Sequence, residues 1–166
     1  MPANQRLGSF VSQRVSQQIA LPTEQQWERA ARGLDGREYP WEGDYRAGCA
    51  NSNESENGIE GGVYVDRTTS AGICPQASEE VVHDLAGNVC EWCLNEHAKP
   101  KKIETSGGAS RALRGGSWLY DSRGLRAAVR DDLAPFGRNY YVGFRVCRFP
   151  IEKPTTGALT TGPLKR

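Results

Sequence analysis

The sequence has almost no excess charge. Its 166 residues carry 21 Lys and Arg against 20 Asp and Glu, a formal net charge of +1. Proteins that bind the phosphates of nucleic acid or an anionic membrane surface need clustered positive charge. We therefore expect no nucleic acid among the partners of this protein.

Long hydrophobic runs are also missing. No apolar stretch approaches the roughly 18 residues of a membrane-spanning helix, so we expect no membrane insertion. The opening residues, MPANQRLGSF, lack the charged start and apolar stretch of an export signal. The 19 glycines and 9 prolines indicate a loop-rich fold with short elements. We expect a single domain over residues 1–150 and a C-terminal tail over 151–166.

Potential metal-binding side chains are few. There are two histidines and an odd number of cysteines, five, at irregular spacing, which argues against a disulfide framework. Cys90-x-x-Cys93 with His97 invites a zinc or redox interpretation, but no second pair completes a tetrahedral site. Free or buried thiols are the favoured alternative.

Two helices are predicted near the N-terminus. Residues 4–19 place apolar side chains near helical spacing. Residues 21–33 give a clearer pattern, because Thr23 can cap the helix, Gln26 can complete a capping box and Gly33 can end it. Further along, residues 42–62 are predicted to form a loop and Val63 to Asp66 a short strand. Residues 81–92 place a Gly-Asn turn between two apolar segments.

The segment from Arg111 to Arg148 is organised differently. Its two ends, Arg114 to Trp118 and Gly143 to Val146, have the alternation of short core strands. The 23 residues between them, 119–141, have no clear period and combine aromatic, arginine and small residues, as binding loops do. They contain no Lys, Glu, Gln, Met or Trp, although these types make up 30 of 166 residues. These five are the types that an NNC codon cannot encode.

Four motifs in order resemble one protein family. They are LPTEQQWERAARG (21–33), YPW (39–41), DLAGNVCEW (84–92) and RGGSW…GFRV (114–146). The chain resembles the formylglycine-generating enzyme, or sulfatase-modifying factor, family. The resemblance implies an α+β, C-type lectin-like fold of the formylglycine-generating subtype, with short strands and two helices near the N-terminus.

The resemblance does not carry over the family's catalytic residues. In the oxidases two cysteines follow the RGGS turn, where they bind copper and attack the substrate thiol. The matching positions here are Tyr120 and Leu125, which cannot act as thiolates or soft metal ligands. We therefore expect no copper and no catalytic residues. The sulfoxide-synthase branch of the family uses an iron site built from histidines. This chain has only two histidines, so it fits that branch equally poorly.

The same segment resembles the variable proteins of diversity-generating retroelements, which use this lectin-like fold. In them, template adenines are mutated, so asparagine codons become NNC codons within a fixed frame like RGGSW…GFRV. By this resemblance the diversified, ligand-binding residues are Leu119, Tyr120, Asp121, Gly124, Val129, Asp131, Asp132, Leu133, Ala134, Phe136, Gly137, Asn139, Tyr140 and Tyr141. The remaining residues between 119 and 141 form the fixed scaffold.

Such a scheme makes a physical demand on the fold. The varied side chains must face solvent, because random substitutions in a core each cost kcal/mol. Fixed residues, namely Trp118, Leu125, Phe144 and Val146, are expected to carry the packing. The aromatic residues of the segment would then be exposed anchors, whereas the alternative is that they belong to the core.

A calcium ion is the one cofactor that the resemblance implies. By position its ligands would be the side chains of Asp84 and Glu91 and the carbonyls of Gly87 and Val89. Carboxylate and main-chain oxygens suit a structural calcium ion. The alternative is that the two acids cap the turn or pair with arginines.

These observations predict a non-enzymatic, receptor- or adhesin-like variable protein. Its hypervariable surface would bind an unknown protein or surface ligand. Two alternatives remain: an oxidase relative acting on thiols, and a purely structural module, which would present a more hydrophobic face.

Overall fold

Six short strands and one α-helix form the regular structure of the residues that the computed structural model describes, namely 18–54, 65–74, 78, 81–103 and 105–149. In chain order these elements are β1 (Gln18–Ala20), α1 (Glu24–Arg32), β2 (Cys90–Glu96), β3 (Arg111–Arg114), β4 (Asp131–Leu133), β5 (Val142–Gly143) and β6 (Cys147–Phe149), with a 3₁₀ helix at Ser122–Leu125 between β3 and β4. The described residues between these elements form loops, as the glycine and proline content predicts.

The strands form two sheets. The larger has the order β4-β3-β2-β5, with antiparallel β4–β3 and β3–β2 pairs and a parallel β2–β5 pair, so it is mixed. In the smaller sheet β1 pairs antiparallel with β6. The register of the β2–β5 pair sets Glu91 opposite Gly143, which brings the DLAGNVCEW and GFRV motifs together.

The capping prediction for α1 is confirmed. The Thr23 hydroxyl accepts from the Gln26 N–H, and the Gln26 side chain accepts from the Thr23 N–H in return. Gly33 ends the helix with a φ of 62°. Trp27 and Ala31, four residues apart, are buried on the same face. This local agreement explains why α1 was readable from sequence.

Other element predictions need correction. Gln18–Ala20 is a strand, so the helix predicted over 4–19 does not include its last two residues; residues 4–17 lie outside the described part of the chain. Val65 and Asp66 are not in a strand, and 63–64 are not described. The RGGSW strand ends at Arg114, because Gly115 and Gly116 then take φ values of 91° and 66°.

Two buried clusters form the core. The first contains Trp27, Ala31, Leu85, Cys93, Ala112 and Ala127, and the second contains Tyr39, Trp41, Cys49, Ala50, Ala86 and Leu125. Trp118 and Leu125 are buried, as expected, but Phe144 and Val146 are each 49% exposed, so the expectation that they carry packing is wrong. Arg145, which lies between them in sequence, points inward to Glu91. Because successive side chains of an extended chain point to opposite sides, Phe144 and Val146 face outward. No helix among the described residues is long and apolar enough to cross a membrane.

Candidate ligand-binding face

Two buried side chains fix residues 119–141, called here the candidate face, to the domain. Leu125 and Ala127 are both 0% exposed and belong to different core clusters. The backbone N–H of Ala127 donates to the Glu38 carbonyl at 2.7 Å, and the Tyr39 hydroxyl donates to the Ser122 carbonyl at 3.1 Å. The segment is therefore positioned by the core although it has little regular structure of its own.

A charged network joins the candidate face to α1. Arg130 donates from Nε and Nη2 to the two carboxylate oxygens of Glu24, at 2.5 and 3.0 Å. Arg114 donates to Glu24 and Glu28, each at 2.9 Å, and its guanidinium lies 5.3 Å from the Trp27 ring centroid. The side chains of Glu24 and Arg114 are only 5% and 1% exposed, so each buried charge needs its partner.

Sequence reasoning missed this network. One signal was present: Arg114 follows the apolar pair Ala112 and Leu113 in a strand that is buried at every position. A buried arginine needs a carboxylate partner, and the first turn of the capped helix offers Glu24. The sequence could not show which acid lies opposite which strand.

None of the fourteen predicted variable residues is buried. Phe136 and Tyr140 are each 72% exposed, and the others are exposed or partly exposed. The two residues of the candidate face that are buried, Leu125 and Ala127, both belong to the predicted fixed scaffold. The distribution of exposure is thus the one that a surface tolerant of substitution requires.

Four aromatic rings run in a row across the candidate face. Ring centroids are 5.8 Å apart for Trp118 and Tyr140, 5.5 Å for Tyr140 and Tyr141, and 6.4 Å for Tyr141 and Tyr120. Trp118 is buried, Tyr120 and Tyr141 are half-buried, and Tyr140 is exposed. The exposed Tyr140 ring therefore lies between the buried Trp118 and the half-buried Tyr141, and contact with these two rings holds it in place.

A cavity of about 210 Å³ opens beside Tyr120. The Tyr120 hydroxyl donates to Asp131 Oδ2 at 2.7 Å, and burial together with this carboxylate raises the pKa of the phenol, which stays protonated as a donor. Cys90 lines the same cavity, and burial raises the pKa of its thiol to about 12. A thiol with so high a pKa is a poor nucleophile at neutral pH.

Two glycines of the candidate face are crowded by their neighbours. A Cβ added at Gly124 would lie 2.9 Å from the Tyr120 Cβ, and one at Gly137 would lie 2.5 Å from the Leu133 Cγ. All four residues belong to the predicted variable set. Larger side chains at the glycine positions therefore require changes at the neighbouring ones, so these sites are physically coupled.

Thiols are absent from the positions of the family's catalytic cysteines, where Tyr120 and Leu125 stand. Cys49, Cys90 and Cys93 are buried elsewhere in the domain, and all five cysteines are free. Cys90 and Cys93 lie on β2, and the described residues contain no cluster of three His, Cys, Asp or Glu side chains that could hold a metal.

The four predicted calcium ligands lie within residues 84–91, but the two side chains among them, Asp84 and Glu91, have other partners. Arg145 donates from Nε and Nη2 to the two Glu91 carboxylate oxygens at 2.5 and 2.7 Å, and Trp27 Nε1 donates to Glu91 at 2.7 Å. Asp84 Oδ2 accepts the N–H of Gly72 at 2.5 Å. Glu91 in this arrangement does not fit a calcium ion, because the ion would have to displace a guanidinium; it matches the alternative of pairing with arginine, whereas Asp84 accepts from the main chain.

Gly87 belongs to the close packing of the turn. A Cβ added there would lie 2.3 Å from the Asn51 carbonyl oxygen, and its φ is 77°. Its N–H donates to the Gly115 carbonyl at 2.8 Å, and the Asn88 carbonyl accepts from the Trp118 N–H at 3.1 Å. The turn before Val89 thus supports the RGGSW turn from which the candidate face begins.

The mixed sheet, the single helix of the described residues and the loop-borne face define a loop-rich α+β domain consistent with a C-type lectin-like fold. The sequence matches the sulfatase-modifying factor enzyme 1-like domain (FGE-sulfatase) over residues 7–149. The chain belongs to this family, as its motifs predicted.

Three known proteins illustrate what the chain is similar to. The mouse inactive C-alpha-formylglycine-generating enzyme 2 is 30% identical over 148 residues, covering 81% of this chain and 44% of the relative. The formylglycine-generating enzyme of Streptomyces coelicolor is 32% identical over 148 residues, covering 75% of this chain and 45% of that enzyme. The structure of Treponema denticola variable protein 1 matches with a TM-score of 0.58 at 28% identity, covering 78% of this chain and 47% of the variable protein. The chain therefore spans less than half of the length of each of these relatives.

Proposed function

We propose that this protein is a non-enzymatic, ligand-binding variable protein. Its hypervariable surface is the candidate face, which a retroelement diversifies and which binds a protein or another surface ligand. The observation that carries the proposal is the exposure pattern: none of the fourteen predicted variable residues is buried, whereas Leu125 and Ala127 of the predicted fixed scaffold between them are fully buried. The similarity to a variable protein from Treponema denticola is compatible with it.

The chemistry of the candidate face suits recognition. Tyr140 and Phe136 present large aromatic surfaces to solvent, and aromatic side chains provide much contact area at low entropic cost. Asp132 and Arg138 are exposed polar neighbours that can supply hydrogen bonds. A purely structural module would more often present a continuous apolar face.

An oxidase acting on thiols is the second candidate, because the relatives include formylglycine-generating enzymes. The chemistry argues against it, since no thiol stands at positions 120 and 125 and the Cys90 thiol stays protonated. We expect no formylglycine in a cysteine-containing sulfatase peptide incubated with copper-treated protein. Conversion of the peptide, measured by mass spectrometry, would establish the oxidase instead.

The first test of the proposal is made on DNA. The gene and its surroundings are sequenced and searched for a near-copy of the segment that encodes residues 111–148, beside a reverse transcriptase gene. We expect a copy that differs almost only at adenines, which would map the variable residues directly. Absence of such a copy from the complete genome would contradict retroelement diversification.

The second test concerns binding itself. The chain is screened against arrayed surface proteins and cell-surface extracts, in parallel with a variant carrying Phe136→Ser, Tyr140→Ser and Tyr141→Ser. The matched control is Leu34→Ser, which changes a side chain that is 88% exposed and lies outside the candidate face. We expect ligands that the wild type and the control bind and the triple variant does not. Equal binding by all three proteins would place the ligand site elsewhere.

A further inference from the structure

Arg145 lies among the oxygen atoms of the turn for which the family resemblance implies calcium. Its Nε and Nη2 donate to the two carboxylate oxygens of Glu91. The same Nη2 lies 3.1 Å from the carbonyl oxygens of His83 and Asp84. One guanidinium therefore contacts four oxygen atoms, two anionic and two from the main chain.

The register of β2 and β5 places the guanidinium there. Gly143 pairs with Glu91 in the parallel ladder, and Arg145 follows two residues later. The side chains of Glu91 and Arg145 are 7% and 22% exposed, so solvent screens their electrostatic attraction only weakly. Trp27 donates a further hydrogen bond to the carboxylate and ties the pair to α1.

These contacts have the chemistry of a cation site that is already filled. A carboxylate and main-chain carbonyls are hard oxygen ligands, which calcium prefers, but they are equally good acceptors for the fixed N–H fork of arginine. A dication brought next to Glu91 would meet the positive charge of Arg145. Its entry would cost the bidentate hydrogen bonds as well.

We propose that Arg145 is the internal cation of the turn formed by residues 83–91, so that this turn folds without a divalent metal ion. The guanidinium neutralises Glu91 and links β5 and the GFRV motif to the DLAGNVCEW turn. This inference is independent of what the candidate face binds.

The first experiment needs no variant. The wild-type protein is treated with a chelator, and its thermal unfolding is then compared in the chelator and in millimolar calcium, with calcium binding followed by titration calorimetry. We expect the same Tm in both conditions and no heat of binding. A Tm that rises with calcium and falls with the chelator would overturn the proposal.

Three variants test the role of the charge. Arg145→Gln leaves Glu91 buried without its partner, and we expect its Tm to fall by on the order of 10 °C. The matched control, Arg148→Gln, changes an exposed arginine three residues later and should leave the Tm nearly unchanged. The double variant Glu91→Gln/Arg145→Gln should melt above Arg145→Gln, because the unpaired charge is removed.

The outcomes are distinct. If Arg145→Gln melts like the Arg148→Gln control, or if neutralising Glu91 restores none of its stability, Arg145 is not the internal cation. Should Arg145→Gln fail to fold, Arg145→Lys replaces it, and a folded, calcium-independent Arg145→Lys protein is then the expected result. An Arg145→Lys protein that requires calcium to fold would overturn the proposal.

Discussion

Arg130 of the candidate face and Glu24 of α1 form a two-pronged ion pair across 106 residues of sequence, with N–O distances of 2.5 and 3.0 Å. Glu24 is at the same time the partner of the buried Arg114 on β3. A single carboxylate therefore joins the capped helix, the central sheet and the surface segment. This arrangement lets a segment with little secondary structure keep a defined position, and it makes the stability of the domain sensitive to Glu24.

Removal of the Glu24 charge should strongly destabilise the domain. In Glu24→Gln the buried Arg114 loses one of its two carboxylate partners and Arg130 loses the carboxylate with which it pairs, so we expect a loss of about 3–5 kcal/mol in the free energy of unfolding. The control is Glu38→Gln, whose exposed pair with Arg126 at 3.7 Å contributes about 0–1 kcal/mol. Urea unfolding of both variants measures the difference, and equal losses would refute the assignment.

The effect of a substitution on the candidate face on stability should depend on whether the replaced side chain is buried. Leu125→Ala removes a side chain that is 0% exposed and should cost about 2–5 kcal/mol. Tyr140→Ser, at a position that is 72% exposed, should change stability by no more than about 0.5 kcal/mol. Denaturant unfolding of the two variants gives both values. A large loss in Tyr140→Ser would mean that this ring is structural.

The crowding at Gly137 predicts a coupled pair. Gly137→Ala places a methyl group against Leu133 and should cost about 1–3 kcal/mol by overpacking. Leu133→Ala in the same chain makes room, so the double variant should be more stable than the sum of the single effects predicts. A double-mutant cycle measured by urea unfolding gives the coupling energy, and strict additivity would show that the backbone adjusts instead.

The buried Cys90 thiol predicts a loss of stability at alkaline pH. Its pKa rises from 9.0 to about 12 on folding because burial disfavours the thiolate. The folded thiol therefore keeps its proton at pH values where the unfolded thiol loses it. The contribution of the protonated thiol to the free energy of unfolding is complete below pH 9.0 and declines as the pH rises toward 12. The decline is about 1.4 kcal/mol per pH unit at most.

The variant Cys90→Ala isolates this effect, because every other titrating group stays in place. Unfolding under reducing conditions at several alkaline pH values should show a steeper loss for the wild type than for Cys90→Ala. Parallel curves would mean that the Cys90 thiol ionises as readily in the folded protein as in the unfolded one.

The parts of the fold that could be predicted from the sequence depend on residues close together in the chain. Thr23 and Gln26 lie three positions apart, so their capping box could be read directly, and so could the end of α1 at Gly33. The turn at Gly87 and Asn88, both with positive φ, was also readable. By contrast, Gln18–Ala20 is extended because it pairs with β6, about 130 residues further along the chain, and local helical spacing could not foresee that pairing.

The sequence by itself determined the family, through four motifs in a fixed order, and excluded a thiol at positions 120 and 125. It also marked residues 119–141 as a segment of unusual composition. Only the tertiary structure decided which of those residues reach solvent, why Phe144 and Val146 do not pack inside, and that Arg145 meets Glu91. The physical reason is that burial and ion pairing depend on strands and loops distant in sequence, whereas motifs and caps depend on residues a few positions apart.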